Sequence, residues 1–257
     1  IRVDESGWPN DELQLAPRVA LALENHTQQE QLLALERMAY NDDAATAADV
    51  FALQVFRDLF AEEALRPGDP ISVGSMVVVF TDLRQSTQLY RTVGDAVAFG
   101  LVMEHFDLLR AAVDAEGGAI VKLLGDSVMA VFRRPIAAVR AMRRAQQELA
   151  ALTGRPLPLR LRAGIHYGPC IAVTMNDRLD YFGSTINAAA RLTDFSSGDD
   201  LILSGPVRWD PEVVAWLDEQ AGSLERSPLT ATLKGFEAER FELWRVSPIP
   251  PSAIAMR

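Results

Sequence analysis

Two aspartates occupy positions that suit metal chemistry. Asp82 follows the short apolar, β-branched run Met76-Val-Val-Val-Phe80, and Asp126 sits in a Gly125-Asp126 pair between two further apolar runs. An aspartate after a strand commonly caps or turns the chain, and Gly-Asp is ordinary turn chemistry, so each residue alone has a plain structural role. Together they offer hard oxygen ligands able to hold Mg²⁺ or Mn²⁺ against a polyphosphate. Asn187 and Arg191 stand four residues apart and share one face of any helix through them. The guanidinium fork suits phosphoryl oxygens and the amide is a neutral donor that can orient a ribose, although a solvated surface pair has the same spacing. Three more polar residues have equally plain alternatives. Lys122 ends an otherwise apolar run, Asp180 precedes a helix, and Lys234 opens a Lys-Gly turn.

The elements that must position these groups follow from periodicity. Residues 76–80 read as a central strand buried on both faces. Residues 94–115 carry an apolar helical stripe ended by Gly117-Gly118, and 119–123 with 127–132 form a hairpin about Gly125-Asp126. A helix opens at Pro135 and closes at Gly154, and a second hairpin, 159–167 with 170–175, is expected around Gly168-Pro169. A helix over 185–192 and strands near 201–203, 230–233 and 241–246 complete the chain. Strand, helix, hairpin, helix in that order predicts an α+β class, a ferredoxin-like sheet with flanking helices. Upstream, Thr46 and Asp49 form a capping box for a helix over 46–63, and Arg66-Pro-Gly-Asp-Pro70 is a linker. The first 40 residues suggest a strand, a turn at 25–27 and a second strand, and the start at Ile1 suggests the trimmed edge of a larger domain. The division expected is therefore an accessory segment, 1–70, and a main domain, 71–257.

Composition narrows the function classes. Of 257 residues, 49% are hydrophobic and 23% charged, which suits a folded core rather than a disordered chain. A net charge of -10 disfavours nucleic acid and anionic membrane as main partners, because both require a basic footprint. One cysteine precludes an internal disulfide, and three histidines without clustered spacing disfavour zinc. No apolar run approaches the roughly 20 residues of a membrane span, and no secretory signal opens the chain, so a cytoplasmic location is expected.

Taken in order, the segments Phe80-Thr-Asp82-Leu-Arg-Gln-Ser86-Thr87, Lys122-Leu-Leu-Gly125-Asp126-Ser-Val-Met-Ala130-Val-Phe132, Gly164-Ile-His166-Tyr-Gly168, Asp180-Tyr-Phe-Gly183-Ser-Thr-Ile186-Asn187-Ala-Ala-Ala190-Arg191-Leu192 and Leu233-Lys234-Gly235 closely resemble the class III adenylate/guanylate cyclase catalytic domain. The resemblance runs from about Ser75 to Val246. It implies that Asp82 and Asp126, with the backbone carbonyl of Leu83, bind two divalent ions, Mg²⁺ or Mn²⁺. It further implies that Lys122 and Asp180 read the purine, donating to adenine N1 and accepting from its 6-amino group, which favours ATP over GTP. Asn187 and Arg191 match the family's transition-state pair, and Lys234 matches a triphosphate lysine of some members. The implied reaction is attack of the ribose 3′-oxygen on the α-phosphorus with loss of pyrophosphate, at sites shared in a head-to-tail homodimer. Gln85-Ser86 stands where many members have Gly-Phe, and Ser184 where an acidic residue often follows the glycine. A cyclase for GTP or a pyrimidine nucleotide, and a catalytically silent nucleotide-binding or dimerisation module, are the alternatives.

Overall fold

The computed structural model describes residues 2–3, 22, 24–27, 45–60, 65, 70–152, 157–175 and 178–249. The chain divides into two compact units, Ile1–Ala44 and Ala45–Arg257. In the first, β1 (Arg2–Val3) pairs in parallel with β2 (Glu24–Asn25). The two strands expected in the first 40 residues fall outside the described residues except at Ala22, which is not in a strand, and the turn expected at 25–27 is instead entered by β2.

The second unit is built on one eight-stranded sheet. Its central strand, β3 (Ile71–Leu83), is longer than the apolar run alone suggested, and Met76 to Phe80 are all at most 8% exposed. It is flanked on both sides by antiparallel partners, β5 (Ser127–Phe132) and β6 (Leu161–Met175). With β4 (Ala119–Leu124) outside β5, the order β4-β5-β3-β6 is the ferredoxin-like arrangement expected from the element order. β8 (Leu201–Ser204) joins β6 in parallel, followed by β10 (Phe241–Pro248) and β9 (Leu224–Ala231).

The expected hairpin about Gly168-Pro169 does not form: β6 runs straight through both residues. Gly168 lies opposite Met76 and Pro169 opposite Ser75, next to a register irregularity between Ser72 and Ser75. On its other edge β6 changes partner there, from β8 at 163–165 to β7 (Arg178–Phe182) at 171–175. A residue without an N–H is accommodated at such a seam. The reversal comes between Met175 and Arg178.

Helices cover both faces. α4 (Asp95–Ala115), α5 (Pro135–Ala151) and α8 (Pro211–Glu219) share one core with Val77, Val79 and Ile165. On the other face α1 (Ala47–Phe51), α2 (Gln54–Phe60), β7 and α6 (Ser184–Leu192) enclose Met76, Val78, Phe80 and Met129. The helix expected over 46–63 keeps its Thr46–Asp49 capping box but breaks at Ala52-Leu53. The Phe51 carbonyl, which a continuous helix would commit to Val55, instead accepts from the Tyr181 hydroxyl at 3.0 Å. Periodicity also misses α3 (Ser86–Val93), the short α7 (Gly205–Arg208) and α8, although Asp210 caps α8 by accepting from the Glu212 and Val213 amides at 3.1 and 3.2 Å. Among the described residues no helix is long and apolar enough to cross a membrane.

The placement of α6 depends on two glycines of β6. A Cβ at Gly164 would lie 2.6 Å from Leu192 Cβ and 2.9 Å from the Thr193 amide nitrogen, and one at Gly168 would lie 2.7 Å from Thr185 Oγ1. Absence of side chains at these points lets α6 lie directly on the strand, with Thr185 Oγ1 donating to the Pro169 carbonyl at 2.6 Å. Gly164→Ala is therefore expected to destabilise the protein by about 1–3 kcal/mol, the usual cost of overpacking against backbone. Chemical denaturation measures this directly, and an unchanged midpoint would show that the helix does not rest on the strand here.

Candidate functional site

Antiparallel pairing on both sides of β3 brings its C-terminal end to the N-terminal ends of β5 and β6. Asp82 is therefore opposite Arg162 in register, and next to the β4–β5 turn, where Gly125 takes a left-handed φ of 68° and Asp126 follows. Ser127 Oγ donates to Asp82 Oδ1 at 2.9 Å, and Arg162 Nη1 approaches Asp82 Oδ2 at 3.6 Å. Burial pushes the Asp82 carboxyl above its ordinary value; the Ser127 hydrogen bond opposes this, the Asp126 charge adds to it, and Arg162 opposes it again. Asp126 Oδ2 is buried without a protein partner. Two neighbouring carboxylates, one desolvated and one with an orphaned oxygen, form a donor set that fits a hard divalent cation. Leu83 can add only its carbonyl, since its side chain is in the core at 2% exposure. Among the described residues no group of three or more His, Cys, Asp or Glu is placed to hold a metal ion.

The second constellation is Lys122 with Asp180. A bulge in β4 between Ile120 and Lys122 sets Lys122 opposite Met129, on the face covered by β7. Asp180 belongs to β7 and not to a loop, as its position before a helix had suggested. Lys122 Nζ donates to Asp180 Oδ2 at 2.6 Å, while Asp180 Oδ1 accepts from the Tyr181 amide at 2.8 Å. The aspartate is 12% exposed and the lysine 36%, so the pair is partly shielded with one side open.

Asn187 and Arg191 both face solvent from α6, whose opposite side buries Ile186, Ala189 and Leu192. Lys234 is exposed in the turn before β10, where Gly235 adopts a φ of 92° and its amide donates to Glu237 at 2.8 Å. The structure thus joins Asp82 to Asp126 and Lys122 to Asp180, and leaves Asn187, Arg191 and Lys234 outside both contacts. A cleft of about 260 Å³ lined by Arg84, Gln85, Gln88 and Arg160 contains none of these residues.

Two members of the carboxylate cluster were not singled out from sequence. Ser127 opens the expected strand 127–132 and Arg162 lies within the expected strand 159–167, with no chemistry assigned to either; only register places both beside Asp82. An arginine within the expected strand segment Leu159-Arg-Leu-Arg-Ala-Gly164 was the available signal. His166 behaves as a packing residue: its ring lies edge-on to Phe241 with centroids 6.4 Å apart, and burial pushes it down to about 4, so it is neutral at pH 7.

Comparison with known proteins gives a consistent result. The family model described as "Adenylate and Guanylate cyclase catalytic domain" matches residues 70–225. A protein of Mycobacterium tuberculosis named only as uncharacterized is 32% identical over 172 residues, 66% of this chain and 41% of its own length. The chain thus spans about two-fifths of that relative. Adenylate cyclase 1 of Rhizobium meliloti is 30% identical over 150 residues, covering 51% of this chain and 23% of its own. Among solved structures, the adenylyl cyclase CyaB from P. aeruginosa superposes with a TM-score of 0.58 at 21% identity, over 71% of this chain and 98% of that one. The guanylate cyclase domain of RhGC from Catenaria anguillulae, solved with GTP, gives 0.55 at 18% identity, over 71% and 100%. At these identities the structures establish the fold.

The carboxylate cluster has a measurable stability signature. Because the folded-state value of Asp82 is raised, ionising it costs folding free energy as pH rises above the unfolded carboxyl value of 3.8, and that cost is absent below it. Asp82→Asn should therefore raise the melting temperature of the metal-free protein at pH 7, and the gain should fade as pH falls below about 4. Added Mg²⁺ or Mn²⁺ should stabilise the parent protein and leave the variant nearly unmoved. Melting curves across pH, with and without metal, test both; a variant less stable at neutral pH would show that Asp82 is held by its neighbours without strain.

Proposed function

The chain belongs to the class III adenylate and guanylate cyclase family, and from that premise we propose that it is an adenylate cyclase, converting ATP to 3′,5′-cyclic AMP and pyrophosphate at sites shared by two copies of the chain. The observation that carries the adenine preference is the 2.6 Å contact of Lys122 with Asp180. It places an ammonium donor beside a carboxylate acceptor, the complement of adenine N1 and its 6-amino group. Guanine would set a donor against the lysine and an acceptor against the aspartate, leaving buried polar groups unpaired. The Lys122–Asp180 reading is independent of the solved relatives, which include both nucleotide classes.

On this reading residues 71–257 form the catalytic domain and 1–70 an accessory segment. Asp82, Asp126 and the Leu83 carbonyl hold two divalent ions, Mg²⁺ or Mn²⁺, which when bound lower the pKa of the ribose 3′-hydroxyl and balance charge on the triphosphate. Asn187 fixes the ribose by hydrogen bonding. Arg191 sets its fork against the α-phosphate, where charge accumulates as the 3′-oxygen attacks in line and the bond to pyrophosphate breaks. Lys234 neutralises part of the departing triphosphate chain. No side chain is assigned as the base for the hydroxyl proton, and positioning with electrostatics accounts for the rate.

The separation of groups within one chain supports a shared site. Among the described contacts Asn187 and Arg191 do not touch Asp82 or Asp126. Leu123, Leu124 and Phe182, near Lys122 and Asp180 in sequence, are each nearly half exposed and suit burial against a second copy. A head-to-tail homodimer then sets Asp82 and Asp126 of one subunit against Lys122, Asp180, Asn187 and Arg191 of the other, giving two equivalent sites.

Assaying cyclic product from all four nucleoside triphosphates with Mg²⁺ or Mn²⁺ tests the substrate. ATP should be the best, and Lys122→Glu with Asp180→Cys should lower its turnover more than about tenfold while GTP gains relatively. A preference for GTP in the parent, or an unchanged ratio in the variant, refutes the assignment.

Assembly is tested by mixing two inactive variants, Asp82→Ala and Asn187→Ala, under subunit exchange. Heterodimers contain one intact and one doubly damaged site, so random pairing should restore about a quarter of parental activity. No recovery despite exchange shown by a second label means that each chain forms its own site.

A further inference from the structure

Lys122 and Asp180 touch although three strands, β5, β3 and β6, separate β4 from β7 in the sheet. Hydrogen-bonded ladders alone do not set that distance. Among the described residues β4 is the terminal strand and is paired only with β5, while β7 is paired only with β6, so each has one edge outside the described ladder. Both of those strands are bonded by the same helix. The Ile120 amide, at the β4 bulge two residues before Lys122, donates to Gln54 Oε1 at 2.7 Å. One turn further along α2, Arg57 donates through Nη2 to the carbonyl of Leu179, the residue before Asp180. Tyr181, the residue after it, donates to the Phe51 carbonyl, and its ring lies 5.5 Å beneath the Arg57 guanidinium. Gln54 is itself oriented by donating to Asp58 at 2.7 Å.

We infer that Gln54 and Arg57 are positioning residues for nucleotide selection, with the α1–α2 pair acting as a strap that holds β4 and β7 at the separation where Lys122 and Asp180 can read a base together. The inference rests on the base-reading role proposed above. Arg57 is an expensive choice if packing were its only purpose. It is 6% exposed, and among the described residues its Nη1 is buried without a partner and no carboxylate forms an ion pair with it. A Met or Leu could fill comparable apolar space without desolvating a cation. What such a residue could not do is engage the Leu179 carbonyl, and thereby fix β7 on the side away from β6. Through these bonds a shift of α2 alters the spacing of donor and acceptor, while the hydrogen bonds that Gln54 and Arg57 make among the described residues include none to Asp82 or Asp126.

The test measures kcat and KM for ATP and GTP in the full chain carrying Gln54→Ala, Arg57→Ala or Arg57→Lys, with Lys122→Ala as reference. Gln54→Ala and Arg57→Ala should raise KM for ATP and move the ATP to GTP ratio of kcat/KM toward unity by about threefold or more, with kcat at saturating ATP within about twofold of the parent. Arg57→Lys, which keeps a donor for the Leu179 carbonyl, should recover most of the ratio. Should Lys122→Ala shift the ratio while neither strap variant does, the strap inference is overturned and base reading stands. Should Lys122→Ala leave the ratio unchanged, base reading fails and the strap inference with it. If Arg57→Ala does not fold, Gln54→Ala decides, because its side chain is only half-buried and its loss opens no core cavity.

Discussion

The constraint on which the molecule depends is electrostatic: an acidic chain, with net charge -10, keeps two carboxylates close together at the partly buried end of its central strand. Among the described residues the one ion pair to either carboxylate is a long one. Arg162 stands 3.6 Å from Asp82, too far for a good hydrogen bond, and Asp126 retains a buried oxygen with no partner. Such an arrangement is unfavourable without a cation and favourable with one, which is the usual logic of a site built for binding rather than for stability. The ferredoxin-like order is what makes it possible. Because β3 runs antiparallel to both neighbours, its last residues meet the first residues of β5 and β6, so three chain segments far apart in sequence converge at one rim.

The same topology separates the other functional groups. β6 is the spine: its first half carries Arg162 and the glycine on which α6 rests, and its second half carries β7 with Asp180. The base-reading pair proposed here is consequently assembled over the face of the sheet, and α6 presents Asn187 and Arg191 outward. On the reading proposed above, a two-fold pairing of copies would set the Asp82–Asp126 cluster of one chain against the base-reading pair and the α6 groups of the other without a new element.

Sequence legibility followed the range of the interaction. The buried run at 76–80, the β4–β5 hairpin and α5 are local patterns and were readable, as was the order of elements that specifies the sheet. Features decided by tertiary partners were not. The break at Ala52 exists because Tyr181, 130 residues away, takes the Phe51 carbonyl. Gly168-Pro169 carries strong turn chemistry, yet lies in an extended strand because α6 needs the glycine and the change of partner strand tolerates the proline. At the site, the family resemblance supplied the residues proposed to ligate or read, whereas Ser127 and Arg162, known only by register, and Gln54 and Arg57, known only by contact, had no local mark.

The departure at Gln85-Ser86 shows how far the backbone, rather than the side chain, is what this rim preserves. Gln85 has a φ of 62°, a left-handed conformation that glycine, the common residue of the family pattern, adopts freely and that costs a residue with a Cβ about 1 kcal/mol. The turn keeps that shape through its surroundings. The Gln85 carbonyl accepts from the Gln88 and Leu89 amides at 2.9 and 3.0 Å, which starts α3, and Leu89 is buried at 2%. On the other side the Arg84 amide donates to the Arg160 carbonyl, and its guanidinium to the Ser197 carbonyl, each at 2.9 Å. The chain leaving Leu83 is therefore held from both directions, and the carbonyl offered beside Asp82 keeps its place although the residue that usually makes the turn easy is missing. A substitution that looks like damage to the motif is thereby converted into a modest loss of stability, because hydrogen bonds from three segments specify a conformation that the side chain opposes.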